Sequence, residues 1–570
     1  MEKRWVYKDL PEPEKVAALA KSLSVNHTIA TILCQRNICT FDEAKAFFRP
    51  SLDDLHDPFL MKDMGKAVNR LNEALHHGEK ILIYGDYDVD GTTSVAMAYK
   101  YLQPYFKDNI DYYIPDRYRE GYGVSSQGID WAEENGFTLI ISLDCGIKST
   151  DKVAYATGKG IDFIICDHHL PDNEVPAAAA VLDPKQSDCP YPYKELSGCG
   201  VGFKLMQAFC IQNNFDTAEL FDLLDLVVVS ISADIVPITG ENRILAYFGL
   251  QMLNSGQPLR PGLAALKELA ALKEEIDITS IVFGFAPRIN AAGRMGDAKR
   301  SVAMLLANTK EEAFEQAKSI NESNSDRRVH DTNITREALE MIQTDAFLRS
   351  SKSTVLFKED WHKGVVGIVA SRCIEKFYRP TIILTASNGM ASGSARSVHG
   401  FDVHQAIVAC ADLLEQFGGH MYAAGLTMKV ENVPAFRERF EEIVARTITE
   451  DQQTPQVEID APLRLSQISP GFVRILNQMS PFGPGNMAPV FSSECVYDTG
   501  SCRVVGDTHL KLRLTQDGST AFDAIAFGMA ECYPKILKGI PFDVCYCVEE
   551  NVFRGVTTLQ LRIKDIRFQK

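Results

Sequence analysis

Short apolar runs alternate with helix-like stretches between residues 78 and 240, and the runs are rich in β-branched and aromatic side chains. Such runs are typical of buried parallel strands, which show no polar alternation because both faces of the sheet are covered. The pattern predicts strands at residues 81–84, 110–114, 139–142 and 163–165, and helices at 92–102 and 129–134. This region is therefore expected to form a doubly wound α/β domain with a parallel sheet.

Helical periodicity continues at residues 203–211 and 220–231. Residues 311–341 are polar and contain no proline or glycine, which predicts a long linking helix. From residue 354 the alternation returns, with strands expected at 354–357 and 381–385 around a helix at 365–377. This second pattern predicts a smaller α/β domain.

Five short β-like runs follow residue 455, at residues 490–497, 510–514, 522–527, 544–548 and 559–563. Five short strands predict a small barrel of the OB type, and the turn-rich segment 481–486 is expected to be a structural joint that opens it. The expected division of the chain is a helical extension over 1–55, the first α/β domain over 56–320, the linking helix over 321–350, the second α/β domain over 351–450 and the barrel over 455–570.

Three predicted strands run directly into acidic segments, Asp86-Tyr87-Asp88-Val89-Asp90-Gly91, Asp144-Cys145-Gly146 and Asp167-His168-His169. Ligands of open α/β sheets bind beyond the carboxyl ends of the strands, so these carboxylates are expected to converge on one crevice. A single Asp after a strand is more often a helix N-cap or a turn former. Three such segments favour a metal site, because crowded like charges need a cation. Asp234, which follows the helix at 220–231, is a fourth candidate position.

Carboxylates with one or two imidazoles suit Mn²⁺ or Mg²⁺ better than zinc, and a pair of such ions is the usual means of hydrolysing a phosphoester. Neighbouring residues of an extended segment point to opposite sides, so only one of His168 and His169 is expected to be a ligand. The other imidazole could hydrogen-bond a phosphate oxygen. A lone histidine would more often be an ordinary core or surface residue.

The bulk composition predicts a cytoplasmic protein of several domains. A chain of 570 residues is too long to fold around a single hydrophobic core. A content of 45% hydrophobic and 24% charged residues is ordinary for a globular protein. The start lacks the apolar core of a signal peptide, and no stretch approaches the roughly 18 apolar residues of a membrane span. The 14 cysteines are scattered and are expected to be reduced core residues. A net charge of −16 means that any nucleic-acid contact must use a local basic groove or bound cations.

Four arginines, Arg288, Arg294, Arg372 and Arg396, lie in or beside loops that contain glycine and serine, where a guanidinium could clamp a phosphate. The alternative for each is a surface arginine that pairs with an acidic neighbour. An OB barrel commonly offers basic and aromatic groups to single strands. Phe491, Tyr497, Arg503, Lys511 and Arg513 could serve, but alternation alone does not tell which face of the barrel is outward.

The three acidic segments, in this order and spacing, resemble the DHH phosphoesterase family. Within it the chain is similar to the bacterial single-stranded-DNA-specific exonucleases, because of the segments at residues 197–204, 286–294, 367–372 and 417–420. The resemblance covers residues 55–570. It implies a DHH domain, a linking helix, a DHHA1 domain and a C-terminal OB domain, with the active site in the cleft between the first two domains.

The resemblance also implies roles for individual residues. Two divalent cations, Mn²⁺ or Mg²⁺, would be held by Asp86, Asp88, Asp90, Asp144, His168 and Asp234, with Asp144 bridging both and Asp86 in a supporting position. Catalysis would involve Asp144, His168 and His169, of which His169 would contact the scissile phosphate or the attacking water. The family often has Gly-Thr-Val before the last Asp, where this chain has Ser230-Ile231-Ser232-Ala233. The substrate would be bound by Arg288, Arg294, Ser371, Arg372, Arg396 and His420.

The implied function is a 5′-to-3′ exonuclease for single-stranded DNA that releases 5′-mononucleotides in DNA repair and recombination. A monomer without membrane contact is expected, and a helicase and a single-strand-binding protein are candidate partners that the sequence does not decide. One alternative is a phosphodiesterase for short oligonucleotides or cyclic dinucleotides. A protein that binds single strands without cleaving them is another, which the intact acidic motifs disfavour.

Overall fold

The structure is a computed structural model that describes residues 2–272, 275–295, 297–518, 520–553 and 556–568. The chain divides into two compact units. The parallel-sheet unit consists of Lys45–Arg327 and Ser480–Met487, and the barrel unit consists of Met1–Ala44, Arg328–Met479 and Ala488–Lys570. The predicted domain bounds stay a prediction.

The N-terminal segment is mainly helical, as predicted, but begins with a strand that the sequence pattern did not indicate. Its elements are β1 (Arg4–Tyr7), α1 (Pro13–Leu23), α2 (His27–Gln35) and α3 (Phe41–Phe48). Strand β1 pairs in parallel with Gln456–Ile459 of the same unit. Four residues are too few for a periodic signal, and the partner that makes them a strand lies far along the chain.

A five-stranded parallel sheet forms the centre of the parallel-sheet unit, with the strand order β3-β2-β4-β5-β6. Its strands are β2 (Ile81–Gly85), β3 (Ile110–Tyr113), β4 (Leu139–Leu143), β5 (Asp162–Cys166) and β6 (Ala180–Leu182). The four predicted strands are confirmed, whereas the three-residue β6 was missed. Alternate residues of β2 enter different cores, since Ile81 and Ile83 lie in one apolar cluster and Leu82 and Tyr84 in another. Burial on both faces explains the continuous apolar run.

Helices cover both faces of this sheet, as a doubly wound fold requires. They are α4 (Met64–His77), α5 (Val89–Phe106), α6 (Ser126–Glu134), α7 (Thr150–Gly158), α8 (Gly198–Asn213), α9 (Thr217–Phe221), α10 (Leu224–Ala233), α11 (Gly240–Leu253), α12 (Pro261–Leu269), α13 (Ile278–Ser280), a π-helical turn (Ile281–Phe285), α14 (Ala286–Met295) and α15 (Lys299–Leu306). The helix predicted over 220–231 is in fact two helices, α9 and α10, because the chain breaks at Asp222 and Leu223.

The predicted linking helix is confirmed as the 35-residue α16 (Lys310–Thr344). The division between the two units falls within it. Its few apolar residues form two groups, because each half of the helix packs into a different hydrophobic core. Ala313, Ala317 and Ile320 belong to the core of the parallel-sheet unit, and Ile334 and Ala338 to a core of the barrel unit.

The second α/β domain contains a mixed five-stranded sheet in the order β10-β11-β9-β8-β7. Its elements are α17 (Ala346–Ser350), β7 (Thr354–Phe357), α18 (Val366–Lys376), β8 (Thr381–Ser387), β9 (Met390–Arg396), α19 (Val403–Val408), β10 (Gln416–His420), β11 (Ala423–Lys429) and α20 (Val433–Thr447). The glycine-rich pieces at 392–396 and 417–420 are therefore strands. A Cβ atom on Gly393 would lie 2.0 Å from the carbonyl oxygen of Ile383, so close strand packing requires this glycine.

The C-terminal strands close into a barrel. Its elements are β12 (Gln456–Ile459), β13 (Ala461–Pro462), α21 (Pro470–Gln478), β14 (Phe491–Asp498), β15 (Arg503–Val505), β16 (His509–Thr515), β17 (Ala521–Ala526), α22 (Tyr533–Ile536), β18 (Phe542–Phe553) and β19 (Val556–Phe568). Strands β14, β18, β19, β17 and β16 pair in this order, and β16 pairs again with β14. This five-stranded closure, with α22 between β17 and β18, is the OB fold that the sequence predicts.

Within the described ranges, no single helix is both long and apolar enough to cross a membrane, although the sharply bent pair α1 and α2 passes that test together.

Candidate metal centre

The first acidic segment turns directly from β2 into α5. Asp88 is the N-cap of α5, and its Oδ1 accepts a hydrogen bond of 3.0 Å from the Gly91 backbone N–H. Asp88 is therefore a helix N-cap, which is a common role for a single Asp after a strand, and this hydrogen bond holds its carboxylate at the end of β2. A Cβ atom on Gly91 would lie 2.3 Å from the Asp86 carbonyl oxygen. Gly91 is therefore required for the tight turn that places Asp86, Asp88 and Asp90 together.

Asp144 follows β4 and has a left-handed backbone, with φ of +60°. Its backbone N–H donates to the Cys166 carbonyl at 2.9 Å, which continues the sheet pairing while the side chain turns away from the strand. A Cβ atom on Gly198 would lie 2.6 Å from the Asp144 Cβ. The N-terminus of α8 therefore packs directly on Asp144, and only glycine fits at that contact.

His168 lies at the centre of the acidic cluster. Its Nε2 is 3.1 Å from Asp144 Oδ1, 3.6 Å from Asp234 Oδ2 and 3.8 Å from Asp90 Oδ2. Asp234 reaches this position because it is the C-cap of α10. The structure thus brings together four of the residues predicted as metal ligands.

The electrostatics of the cluster are those of crowded, buried like charges. Burial and the charges of Asp90 and Asp88 raise the pKa of Asp234 to about 8. The pKa values of three other carboxyl groups are raised by burial and by neighbouring carboxylates, namely Asp86, Asp88 and Asp144. Burial lowers the pKa of His168, so its imidazole is neutral at physiological pH. Neutral imidazole and carboxylates that repel each other suit a cation.

The residues present fit a divalent metal. Among the described residues, neither ring nitrogen of buried His168 has a partner in hydrogen-bond geometry. Two overlapping groups of side chains place their ligand atoms within 4.8 Å of one another, Asp144 with His168 and His169, and Asp90 with His168 and Asp234. The donors are oxygen-rich with imidazole nitrogen, as Mn²⁺ and Mg²⁺ prefer.

His169 does not point away from His168, so the prediction of opposite directions is wrong. The two ring centroids are 4.6 Å apart. The reason is that the strand ends at Cys166, and the Asp167 carboxylate folds back to accept the backbone N–H groups of His168 at 2.7 Å and His169 at 3.1 Å. The segment is therefore bent at His169 and does not continue as an extended strand.

Asp167 also orients the His169 ring, a role that the sequence analysis did not assign. His169 Nδ1 lies 2.7 Å from Asp167 Oδ1, and its Nε2 lies 3.2 Å from the hydroxyl of Tyr122. Burial would lower the pKa of His169, but the hydrogen bond and charge of Asp167 raise it to about 9. The ring is thus held protonated, with Nε2–H as a donor.

Asp183 is a further acidic residue at a strand end that the sequence analysis missed. It follows β6, it is fully buried, and its Oδ1 accepts a 2.7 Å hydrogen bond from the Lys185 backbone. Burial raises the pKa of Asp183 to about 7. The signal was present in the run Ala180-Val181-Leu182 before it, which was too short to count as a strand.

Arg288 and Arg294 lie within helix α14, Arg294 in its last turn. Arg288 is buried and donates to the carbonyls of Gly284 at 2.7 Å and Leu269 at 2.9 Å and to Asn321 Oδ1 at 3.0 Å. These contacts hold the guanidinium in the interior of the unit, and the substrate-binding role of Arg288 stays a prediction. A Cβ atom on Gly293 would lie 2.6 Å from the Tyr87 carbonyl, so the end of α14 packs against the first acidic segment. Arg294 follows at this contact.

The other substrate candidates lie in the barrel unit and also occupy regular elements. Ser371 and Arg372 are on α18, and Arg396 and His420 end strands β9 and β10. Arg372 pairs at 2.7 Å with buried Asp331, so it has the acidic partner that was the alternative to a phosphate clamp. Arg396 and His420 both pair with Ala423 of the strand between them, so they share one end of the sheet. Their binding roles stay predictions.

The barrel shows which of its candidate residues face outward. Leu510, Leu512 and Leu514 are buried, whereas the alternating Lys511 and Arg513 face solvent. Phe491 lies in the core, so it is not a stacking platform. Cross-strand pairing sets Arg503 opposite Lys511, Lys511 opposite Ile525, and Ile525 opposite Arg562, which forms a basic outer row.

Three family models match the chain. "DHH family, N-terminal domain" matches residues 80–231, "DHHA1 domain" matches 350–446 and "RecJ OB domain" matches 459–565. The single-stranded-DNA-specific exonuclease RecJ of Bacillus subtilis is 37% identical over 563 residues, which cover 97% of this chain and 70% of that protein. The RecJ of Salmonella typhimurium is 34% identical, over 89% of this chain and 90% of that protein. The chain belongs to the RecJ family.

Solved RecJ structures have the same fold. RecJ from Thermus thermophilus in complex with Mn²⁺ is 27% identical with a TM-score of 0.85, over 100% of this chain and 80% of that chain. The complex of the same protein with Mg²⁺ is 26% identical with a TM-score of 0.79, over 100% and 79%. The resemblance to the DHH family and the predicted fold class are thereby confirmed.

Proposed function

We propose that this chain is a metal-dependent exonuclease that hydrolyses single-stranded DNA from the 5′ end and releases 5′-mononucleotides. The observation that carries the proposal is the convergence of Asp90, Asp144, His168 and Asp234 at one edge of the parallel sheet in a member of the RecJ family. Substrate and strand specificity follow from the relatives, which are single-stranded-DNA-specific exonucleases by name.

The metal-binding residues in this proposal are Asp86, Asp88, Asp90, Asp144, His168 and Asp234. Two divalent cations, Mn²⁺ or Mg²⁺, would activate a water molecule and neutralise the charge that develops on the phosphate. Asp144 would be their shared ligand, and its Oδ1 lies 3.1 Å from Nε2 of the central His168.

His169 is the residue we propose to contact the scissile phosphate. The ring carries a proton at physiological pH because Asp167 holds its pKa at about 9. Asp167 accepts from Nδ1, which leaves Nε2–H next to the Tyr122 hydroxyl as the donor for a phosphate oxygen. A charged donor of this kind stabilises the negative charge of the transition state.

Substrate contacts outside the metal centre would come from Arg294 in the parallel-sheet unit and from Ser371, Arg372, Arg396 and His420 in the barrel unit. The packing of α14 against the first acidic segment supports this role for Arg294. We further propose that the protein is a monomer, because one chain carries the acidic cluster. Its proposed location is the cytoplasm, and its proposed role is in DNA repair and recombination. A helicase and a single-strand-binding protein are its expected partners.

The test is degradation of single strands labelled at the 5′ or the 3′ end, and of matching duplex, with Mn²⁺, with Mg²⁺ and with chelator. Asp144→Ala is compared with Asp151→Ala, which removes an exposed carboxylate paired with Lys152 on α7. We expect metal-dependent release of the 5′ label as a mononucleotide from single strands by the wild type and Asp151→Ala, and none from Asp144→Ala.

Other outcomes would replace the proposal. Loss of the 3′ label first would reverse the polarity. Cleavage restricted to fragments of two to five nucleotides would indicate a phosphodiesterase for short substrates. Tight single-strand binding without turnover in any metal would indicate a binding protein.

A further inference from the structure

The carboxylate of Asp90 is held by an unusual number of protein donors. Oδ2 accepts from the Gly198 backbone N–H at 2.7 Å, and Oδ1 accepts from the Cys199 backbone N–H at 2.8 Å. Ser230 Oγ lies 2.7 Å from the same Oδ1, and Ser94 Oγ lies 3.4 Å from it. Oδ1 is therefore saturated by the protein, while Oδ2 also faces His168 Nε2 at 3.8 Å.

Of the two side-chain donors to Asp90, Ser230 makes the shorter hydrogen bond, and its hydroxyl belongs to a chain of hydroxyl groups. Its Oγ also lies 2.7 Å from the Oγ of Ser197, which is the N-cap of α8 and accepts from the Gly200 backbone. A hydroxyl has one proton, and a carboxylate only accepts. Ser197 therefore donates to Ser230, and Ser230 donates to Asp90. Such a chain strengthens its last bond, because each donor polarises the next.

Ser230 also stands one helical turn before Asp234. The Asp234 backbone N–H donates to the Ser230 carbonyl at 3.0 Å, which continues α10 to its C-cap. The hydroxyl of Ser230 thus binds one carboxylate of the cluster, and its backbone supports the residue that carries another. Asp90 and Asp234 both face His168, and Ser230 is hydrogen-bonded to both of these residues.

We propose that Ser230 is a positioning residue of the metal centre, which orients the Asp90 carboxylate so that Oδ2 faces His168 and fixes its distance from Asp234. The inference rests on the proposed function, because it requires the cluster to bind a divalent metal. Removal of a residue that hydrogen-bonds a metal ligand without binding the metal itself typically changes metal affinity by about 10- to 100-fold. Ser230→Ala should have an effect of this size.

The experiment measures Mn²⁺ affinity of chelator-treated full-length protein by calorimetry and by electron paramagnetic resonance of the free ion. Ser232→Ala is the matched control, because Ser232 lies on the same helix, is equally buried and donates to the Val228 carbonyl at 2.6 Å instead of a carboxylate. We expect Ser230→Ala to weaken Mn²⁺ binding by about 10- to 100-fold and Ser232→Ala to leave it unchanged. Ser230→Thr, which keeps the hydroxyl, should stay close to the wild type.

Ser197→Ala gives a second route if Ser230→Ala does not fold, since it removes the donor that polarises Ser230. It should weaken Mn²⁺ binding by less than Ser230→Ala. The inference is overturned if Ser230→Ala, or in its absence Ser197→Ala, binds Mn²⁺ as the wild type does, or if Ser232→Ala shows an equal loss. Failure of the wild type to bind Mn²⁺ is a different result, which would overturn the proposed function together with this inference.

Discussion

The Nε2 atom of His168 lies 3.1 Å from Oδ1 of Asp144, although the two residues follow different strands of the parallel sheet. Strands β4 and β5 are neighbours, and both end at the same edge. The left-handed backbone of Asp144 turns its side chain over that edge towards His168. Glycine would adopt this left-handed conformation more easily than aspartate, so the backbone at Asp144 carries a conformational cost.

Asp144→Asn should abolish turnover and stabilise the metal-free protein. It removes a charge from a cluster in which burial, Asp90 and Asp88 raise the pKa of Asp144, so the repulsion between carboxylates falls. Activity on labelled single strands should drop to the level seen with chelator, while the thermal midpoint in chelator should rise. A variant that retains activity, or that melts lower than the wild type, contradicts this assignment.

Asp167→Asn should destabilise the parallel-sheet unit and reduce turnover. The buried carboxylate accepts from the backbone of Ile147 at 2.9 Å and from both following histidines. An amide has one acceptor oxygen, and each buried N–H left unpaired costs about 1–3 kcal/mol. The free energy of unfolding measured with denaturant should fall accordingly. Asp151→Asn, on the surface, is the control, and an equal loss in both variants would refute a specific role.

Arg288→Lys separates a structural role from substrate binding. The guanidinium fills a buried site where it donates to oxygen atoms of Asn321, Gly284 and Leu269, and an ammonium cannot match that geometry. We expect a lower thermal midpoint and single-strand affinity close to the wild type in the folded fraction. Unchanged stability with weaker binding would instead support the phosphate clamp that the sequence suggested.

Asp183→Asn should change the pH dependence of stability. Burial raises the pKa of Asp183 to about 7, above the value of about 3.9 in an unfolded chain. The folded state therefore binds more protons between these values, so this group's contribution to stability is present at low pH and is lost as pH rises through about 7. In chelator, the thermal midpoint of the variant should exceed that of the wild type, and this difference should be larger at about pH 8 than at about pH 5. Equal gains at both pH values would contradict the prediction.

Lys511→Ala should weaken single-strand binding by the barrel's basic outer row. Lys511 faces outward between Arg503 and Ile525, and Arg562 follows in the same row. Loss of one phosphate contact should reduce the slope of log affinity against log salt by about 0.7. Lys15→Ala removes the same charge from exposed α1 and should not change the slope. The same slope in both variants would remove this face from the binding site.

Local patterns predicted the elements that carry the metal centre. Residues 81–84, 139–142 and 163–165 are almost entirely apolar without polar alternation, which predicts buried parallel strands, and the carboxyl ends of parallel strands meet at one edge of the sheet. The acidic motifs at these ends therefore indicated the site, and the polar, glycine-free residues 311–341 indicated the linking helix. Each of these features depends on neighbours a few positions away, which the sequence displays directly.

Tertiary structure decided the features that depend on distant partners. Strand β1 exists because Gln456–Ile459 pairs with it, and Arg288 is buried because Leu269 and Asn321 close around it. The rings of His168 and His169 share a side because Asp167 folds back on their backbone, and the Ile147 backbone N–H, 20 positions earlier in the chain, holds the Asp167 carboxylate in place. The sequence by itself thus determined the strands, the linking helix and the acidic edge. Burial, ring orientation and the hydroxyl chain behind Asp90 were decided only by packing, because the contacts that define them join residues far apart in the chain.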